Sequence, residues 1–176
     1  MIVFVHGNCN LISNSLLLAG KNKKFEVHLT EGKPFDHGKE FIKKLNKSKL
    51  QLKLYYDTAV RQALKKTDLI LLSANSITSE GKIMSPIGSE VIAELARNYD
   101  IPVYCCINSL NFNPESIKGI EESEDVHVKK SKYLTQDQTS YELISPDLIT
   151  GVISELGVFK PEVYIEEIKQ NYHWMF

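Results

Sequence analysis

LILLSANSITSEGKIMSPIGSEVIAELA, residues 69–96, decides the fold class. Its opening apolar run at 69–72 shows no polar alternation before it stops at Ser73 and Asn75. A strand covered on both faces reads as such a continuous run, whereas a half-exposed strand alternates. Gly81 marks a turn and a short extended stretch follows. Ser85 and Pro86 then read as a helix start, because Pro is tolerated at the first helical position, where its missing N–H would be unpaired anyway. Ile87, Val91 and Leu95 fall on one face of that helix as its buried stripe. Strand, loop and amphipathic helix together form the repeating unit of a helix-covered parallel sheet.

The same unit extends in both directions, with apolar β-rich runs recurring roughly every 20 to 30 residues. Strands are expected at 2–5, 25–29, 51–55, 68–72 and 102–107. Asp36 is placed to cap a helix carrying Phe41, Ile42 and Leu45, and Asp57 to cap another carrying Val60, Ala63 and Leu64. Ser145 and Pro146 repeat the Ser-Pro device, with Leu148, Ile149, Val152 and Ile153 facing inward and Gly157 as the stop. Pro161 opens a last helix marked by Ile165, Ile168 and Tyr172. Between 111 and 140 the apolar periodicity disappears around the acidic run at 121–125, so this segment reads as a variable excursion. The expectation is one α/β domain over 1–176, three-layered and Rossmann-like, with a mostly parallel sheet covered by helices on both faces.

Composition excludes several classes. With 176 residues, 43% of them apolar, the chain suits one ordinary core. A charged fraction of 24% and a mean hydropathy of −0.20 fit a soluble protein, and the apolar runs fall far short of the roughly 20 residues of a membrane span. The start reads as a strand and not as a secretory leader, which places the protein in the cytoplasm. Three cysteines, an odd number without metal-ligand spacing, read as reduced thiols, and neither metal nor cofactor is expected. Cys105 and Cys106 are adjacent in a strand and should point to opposite faces as small buried hydrophobes. A formal net charge of −1 offers no general attraction to nucleic acid. Lys39, Lys43, Lys44, Lys47, Lys49 and Lys53 read as a solvated helix face with its exit loop.

Ligands of open parallel sheets bind beyond the carboxyl ends of the strands. His6, Asn8, Cys9 and Asn10 follow the first strand, Thr30 and Glu31 the second, Asp57 the third, and Ser73, Asn75 and Ser76 the fourth. His6 and Cys9 carry the elements of a base and nucleophile pair, without a third partner. Turn chemistry around Gly7 accounts for the same residues, and local capping or a lysine partner accounts for Glu31 and Asp57. Ser85, Gly88 and Ser89 lie at a helix start, where free N–H groups and two hydroxyls could receive a phosphate; capping by Ser85 explains them equally well. The glycine spacing of a P-loop is missing.

In order along the chain, VHLTEGKPFDHGKEF at 27–41, YYDTAV at 55–60, the quoted run at 69–96, IPVYCCINSLNF at 101–112 and ISPDLITGVISELGVFKP at 144–161 resemble one family. It comprises the alpha, beta and delta regulatory subunits of translation initiation factor 2B, methylthioribose-1-phosphate isomerase and ribose-1,5-bisphosphate isomerase. The run 25–112 looks most like the alpha subunit. The resemblance implies the carboxyl-terminal α/β domain of that family, with its helical amino-terminal domain absent, since the sheet begins at residue 2. It also implies dimer formation, with Tyr164, Ile165, Ile168, Tyr172 and Trp174 of the last helix offered to a partner or to the core.

The departures bear on chemistry. The isomerases resembled here carry an acid in a Gly-Ala-Asp motif after the fourth strand, and this chain has Asn75 in Ser73, Ala74, Asn75. An amide is neither a general acid nor a general base. Their Cys directly follows the His; here Gly7 does, and Cys9 is displaced. Their Asn-Lys pair is replaced by Ser85 and Pro86. The expected function is therefore an interaction protein of the regulatory-subunit type in translation initiation, partnered by related initiation factor 2B subunits or initiation factor 2 as a homo- or heterodimer, with no direct nucleic-acid or membrane contact. A phosphosugar or nucleotide would occupy His6, Asn8, Cys9, Glu31, Asp57, Asn75, Ser85, Gly88 and Ser89. The alternatives are an aldose-ketose phosphosugar isomerase rebuilt around Cys9, Glu31 or Asp57, and a stand-alone metabolite-binding module.

Overall fold

Strand β1 (Ile2–His6) lies inside a seven-stranded sheet, and its side chains alternate between two cores. Val3 and Val5 join one apolar cluster and Phe4, fully buried, joins the other, the period-2 pattern of a strand covered on both faces. A computed structural model of the chain describes residues 1–46, 48–114 and 140–175. The remaining sheet strands are β2 (Glu26–Thr30), β3 (Gln51–Tyr55), β4 (Leu69–Ser73), β7 (Val103–Cys106), β10 (Gly151–Ser154) and β11 (Gly157–Phe159). Their order is β11-β10-β7-β4-β1-β2-β3, and every pairing is parallel except β10 with β11. Register places Val5 beside Leu29 on one side and Leu71 on the other.

Helices α1 (Asn10–Ala19) and α2 (His37–Leu45) cover one face, supplying Ile12, Leu16, Phe41 and Leu45. Helices α3 (Val60–Leu64), α4 (Ser89–Arg97) and α5 (Pro161–Asn171) cover the other, with Leu64, Ile92, Ala96, Tyr164, Ile165 and Ile168. The three layers and the mostly parallel, Rossmann-like sheet are as expected, and each of the five expected strands is present within a residue or two of its bounds. Cys105 and Cys106 enter opposite clusters.

A second, four-stranded sheet was not anticipated. Its order is β8-β5-β6-β9, from β5 (Ser76–Thr78), β6 (Ile83–Pro86), β8 (Phe112–Asn113) and β9 (Tyr141–Ile144). Phe112, Ile77, Ile83 and Ile144 from it pack into the core that holds α4. The excursion expected at 111–140 is therefore corrected at its start, where Phe112–Asn113 form core-packed strand, and β9 begins directly after its end; its interior at 115–139 lies outside the described residues.

Two helix expectations change. The pair Ser85 and Pro86 ends β6, and α4 begins only at Ser89, after Gly88 turns the chain at φ 95°. This later start rotates the buried face to Ile92, Ala93 and Ala96 and leaves Val91 52% exposed. The second Ser-Pro pair opens only a 3-10 turn at Pro146–Leu148. The β-branched Val152 and Ile153 then continue as β10, with Val152 opposite Cys105, and Gly157 at φ 133° closes a hairpin instead of stopping a helix. Helix α1 carries no clear signal in the sequence, because the apolar run at 16–18 blurs its period and Cys9 is an unconventional cap. In α5, Tyr164, Ile165 and Ile168 close the core, leaving Trp174 exposed against Tyr172. On α2, Lys39 and Lys43 pair with Asp36 and Glu40, as a solvated face should; Lys47 lies outside the described residues.

Candidate functional site

The chain runs β1, β2, β3 toward one edge of the sheet and β4, β7, β10 toward the other, so the carboxyl ends of β1 and β4 form a topological switch point. Loops diverging there leave a crevice. Gly7, at φ 89°, carries β1 past β4 so closely that a Cβ on it would run into Ser73 Oγ and stand 2.8 Å from Ser73 Cβ. Only glycine meets both demands. Beyond this contact is a cleft of about 350 Å³. Three expected residues line it, Asn8, Cys9 and Asn75, together with Asn10 and Ser73 of the same strand-end loops. His37, Asn111 and Tyr141 also line it and were not foreseen. No carboxylate is among the described lining residues.

His6 stands behind the cleft with both ring nitrogens engaged. Its Nε2 lies 2.9 Å from the Ile87 carbonyl oxygen, which only accepts, so Nε2 carries the proton. Nδ1 of the neutral ring then accepts from Thr30 Oγ1 at 3.2 Å. Burial holds the imidazole pKa below its ordinary value, against the opposing pull of the Ile87 carbonyl. His6 is thus a neutral cross-link between β1, β2 and the approach to α4, with no nitrogen left to activate Cys9. Cys9 itself precedes α1, and its carbonyl receives the Ser13 N–H at 3.1 Å. Cys105 and Cys106 are inert by burial, the Cys106 thiol being pushed up to about 12.

Internal carboxylates occupy much of the backbone N–H supply at this edge. Asp57 does not cap its own helix; its oxygens accept from Gly32 N–H at 2.8 Å and Lys33 N–H at 3.0 Å, fastening the exit of β2. Glu142, on β9, accepts from Glu90 N–H at 2.6 Å and also bonds the N–H groups of Gly88 and Ser89. The start of α4, expected to receive a phosphate, is filled by the chain's own anion. Burial nonetheless raises the Glu142 pKa, outweighing those bonds. Glu155 likewise accepts from Ser109 N–H at 3.1 Å, after β7.

The remaining expected residues stand apart from the cleft lining. Ser85 and Ser89 are fully buried, their Oγ atoms 2.7 Å apart. Ser85 donates toward the Ser73 carbonyl and Ser89 toward that of Pro86, each at 2.6 Å, so both hydroxyls serve the junction of β4, β6 and α4. Gly88 turns the chain beside His6, where a Cβ would lie 3.4 Å from Nε2. Glu31 joins β2 to β3 and α2 through its backbone, bonding the Tyr55 carbonyl and the Gly38 N–H.

What the described lining offers is amides, one hydroxyl, one thiol, one phenol and one imidazole. Asn8 Oδ1 and His37 Nε2 are buried without hydrogen-bond partners among the described residues, and burial lowers the His37 pKa. Lys44 Nζ reaches Asn10 Oδ1 at 2.7 Å at the rim. Helix α1 begins here with no acid in its first turn and, among the described residues, no side-chain cap, which leaves the positive end of its dipole without a compensating carboxylate. Among the described residues no group of His, Cys, Asp and Glu is placed to hold a metal, and no helix is long and apolar enough to cross a membrane.

Residues 1–161 match the Initiation factor 2 subunit family. Translation initiation factor eIF2B subunit alpha of Dictyostelium discoideum is 27% identical over 187 residues, covering 97% of this chain and 58% of the relative. Ribose 1,5-bisphosphate isomerase of Pyrococcus furiosus is 28% identical over 167 residues, covering 89% of this chain and 52% of the relative. Among solved structures, translation initiation factor eIF-2B of Pyrococcus horikoshii OT3 has a TM-score of 0.85 at 19% identity, covering 93% of this chain and 60% of that one. The 5-methylthioribose 1-phosphate isomerase of the same organism has a TM-score of 0.80 at 17% identity, covering 97% and 55%. The chain spans somewhat over half the length of these relatives.

Proposed function

The chain belongs to the initiation factor 2 subunit family, and from that we propose a non-catalytic interaction protein of the regulatory-subunit type, acting in translation initiation in the cytoplasm. It forms one domain, and works as a homo- or heterodimer with related initiation factor 2B subunits or with initiation factor 2. The observation that carries the reading is a cleft with no carboxylate among its described lining residues: Asn75 stands where the resembled isomerases have an acid, and Asp57 is bound to backbone N–H groups elsewhere. An aldose-to-ketose conversion moves a proton between neighbouring carbons and needs a group to carry it. His6 is already committed through both nitrogens.

The cleft retains a binding role, and its ligand is a small phosphorylated molecule. The start of α1, which has no acid in its first turn, and the nearby Lys44 favour an anion, while Asn8, Asn75 and Asn111 favour hydroxyl groups.

Purification of the tagged chain from its native cells should recover initiation factor 2B or initiation factor 2 subunits in stoichiometric amounts; a preparation free of both overturns the assignment. Incubation with ribose 1,5-bisphosphate or methylthioribose 1-phosphate should give no ketose product, and turnover of either would establish the isomerase reading instead.

A further inference from the structure

Opposite the cleft, the amino edge of the parallel sheet gathers positive charge. Lys21, Lys23 and Lys24 enter β2, Lys49 precedes β3, Lys65 and Lys66 precede β4, and the Met1 amine stands at β1. These strands are neighbours in the order β3-β2-β1-β4, so the loops lie in a row about 15 Å long at ordinary strand spacing. All six lysines are exposed, and among the described residues none uses its ammonium in an ion pair or hydrogen bond. The nearby acids are engaged: Asp68 accepts from Ile2 N–H at 2.7 Å and Glu26 meets His28 at 3.2 Å. In a chain of formal net charge −1 this is a local concentration.

Two adjoining hollows of about 800 Å³ each open among these lysines, sharing Gly20, Lys21 and Lys49. Leu17 and Leu18 supply the apolar part of one and Met1, Ile2, Phe25 and Leu50 that of the other, and Leu18 is 62% exposed. We propose that this edge docks an acidic protein segment carrying an apolar anchor, with carboxylates along the lysine row and the anchor in the hollow beside Leu18. A segment of about five extended residues spans the row. The apolar hollow separates this partner from a nucleic acid. Phosphates would answer the lysines but leave the hollow beside Leu18 unfilled, and bases find little ring to stack on, since the one ring lining the hollows, Phe25, is 8% exposed.

The test is fluorescence anisotropy on the full chain with a labelled peptide of about eight alternating glutamate and leucine residues, long enough to exceed the row. Binding should weaken with salt and fall about tenfold or more in Lys23→Glu/Lys24→Glu and in Leu18→Ser, whose exposed sites leave the fold intact by circular dichroism. Lys82→Glu, in the loop between β5 and β6, should bind as the parent does. Failure to bind the peptide overturns the proposal. So does equal affinity for an all-glutamate peptide, a glutamine-leucine peptide or a uridine oligonucleotide, or binding indifferent to Leu18→Ser.

Discussion

The Glu142 carboxylate sits 2.6 Å from the Glu90 backbone nitrogen, closing the start of α4 with an anion supplied from 52 residues away. Replacing it with alanine strands N–H groups at the helix start and should cost about 1–2 kcal/mol, read from urea midpoints. Because burial raises the folded pKa of Glu142, the stability linked to its titration is fully present below the unfolded value of about 4.3 and is lost as pH rises through the folded value. The parent should therefore lose stability relative to Glu142→Gln as pH rises through that window. A parallel pH profile for the two proteins would contradict this.

Asp57 holds the turn after β2 by two backbone hydrogen bonds. Asp57→Ala should destabilise the chain by about 1–3 kcal/mol and accelerate amide exchange at Gly32 and Lys33. Exchange unchanged at those two amides would show that the carboxylate does not fasten the loop.

Gly7 follows His6 where the resembled isomerases place their cysteine. Gly7→Cys meets both the left-handed backbone and Ser73, so it should cost at least about 2 kcal/mol and restore no turnover even when combined with Asn75→Asp. Thermal unfolding and a ketose assay check the two halves separately.

His6 titrates with the opposite sign to Glu142. Its folded pKa is lowered, so the unfolded chain takes up a proton first, and stability should decline as pH falls below about 6.5 toward the folded value. His37 is lowered too and adds to the slope. His6→Gln should flatten the profile over this range, and an unaltered slope would assign the dependence to other groups.

The central strands were legible because they are covered on both faces, which writes runs such as 69–72 in plain apolar letters. The second sheet was not: β5 and β8 are 3 and 2 residues long, too short to show a period, and they acquire partners only through the tertiary fold. The two Ser-Pro pairs misled in the same way. Proline tolerates a helix start without requiring one, and it closes a strand at Pro86 and opens a 3-10 turn at Pro146. In the site, the strand-end rule found Asn8, Cys9 and Asn75, whose positions follow from topology. His37, Asn111, Tyr141 and Glu142 reach the edge from other elements, and no local pattern marks them.

The His6 ring bonds partners 24 and 81 residues away, so it is seated only after both halves of the sheet have met. Contacts that close such long loops come late in folding, once shorter ones have reduced the entropy of the search. Substitution at His6 should consequently hasten escape from the native state while leaving the rate of its formation nearly unchanged, making this imidazole a latch whose grip is measured in the lifetime of the folded chain.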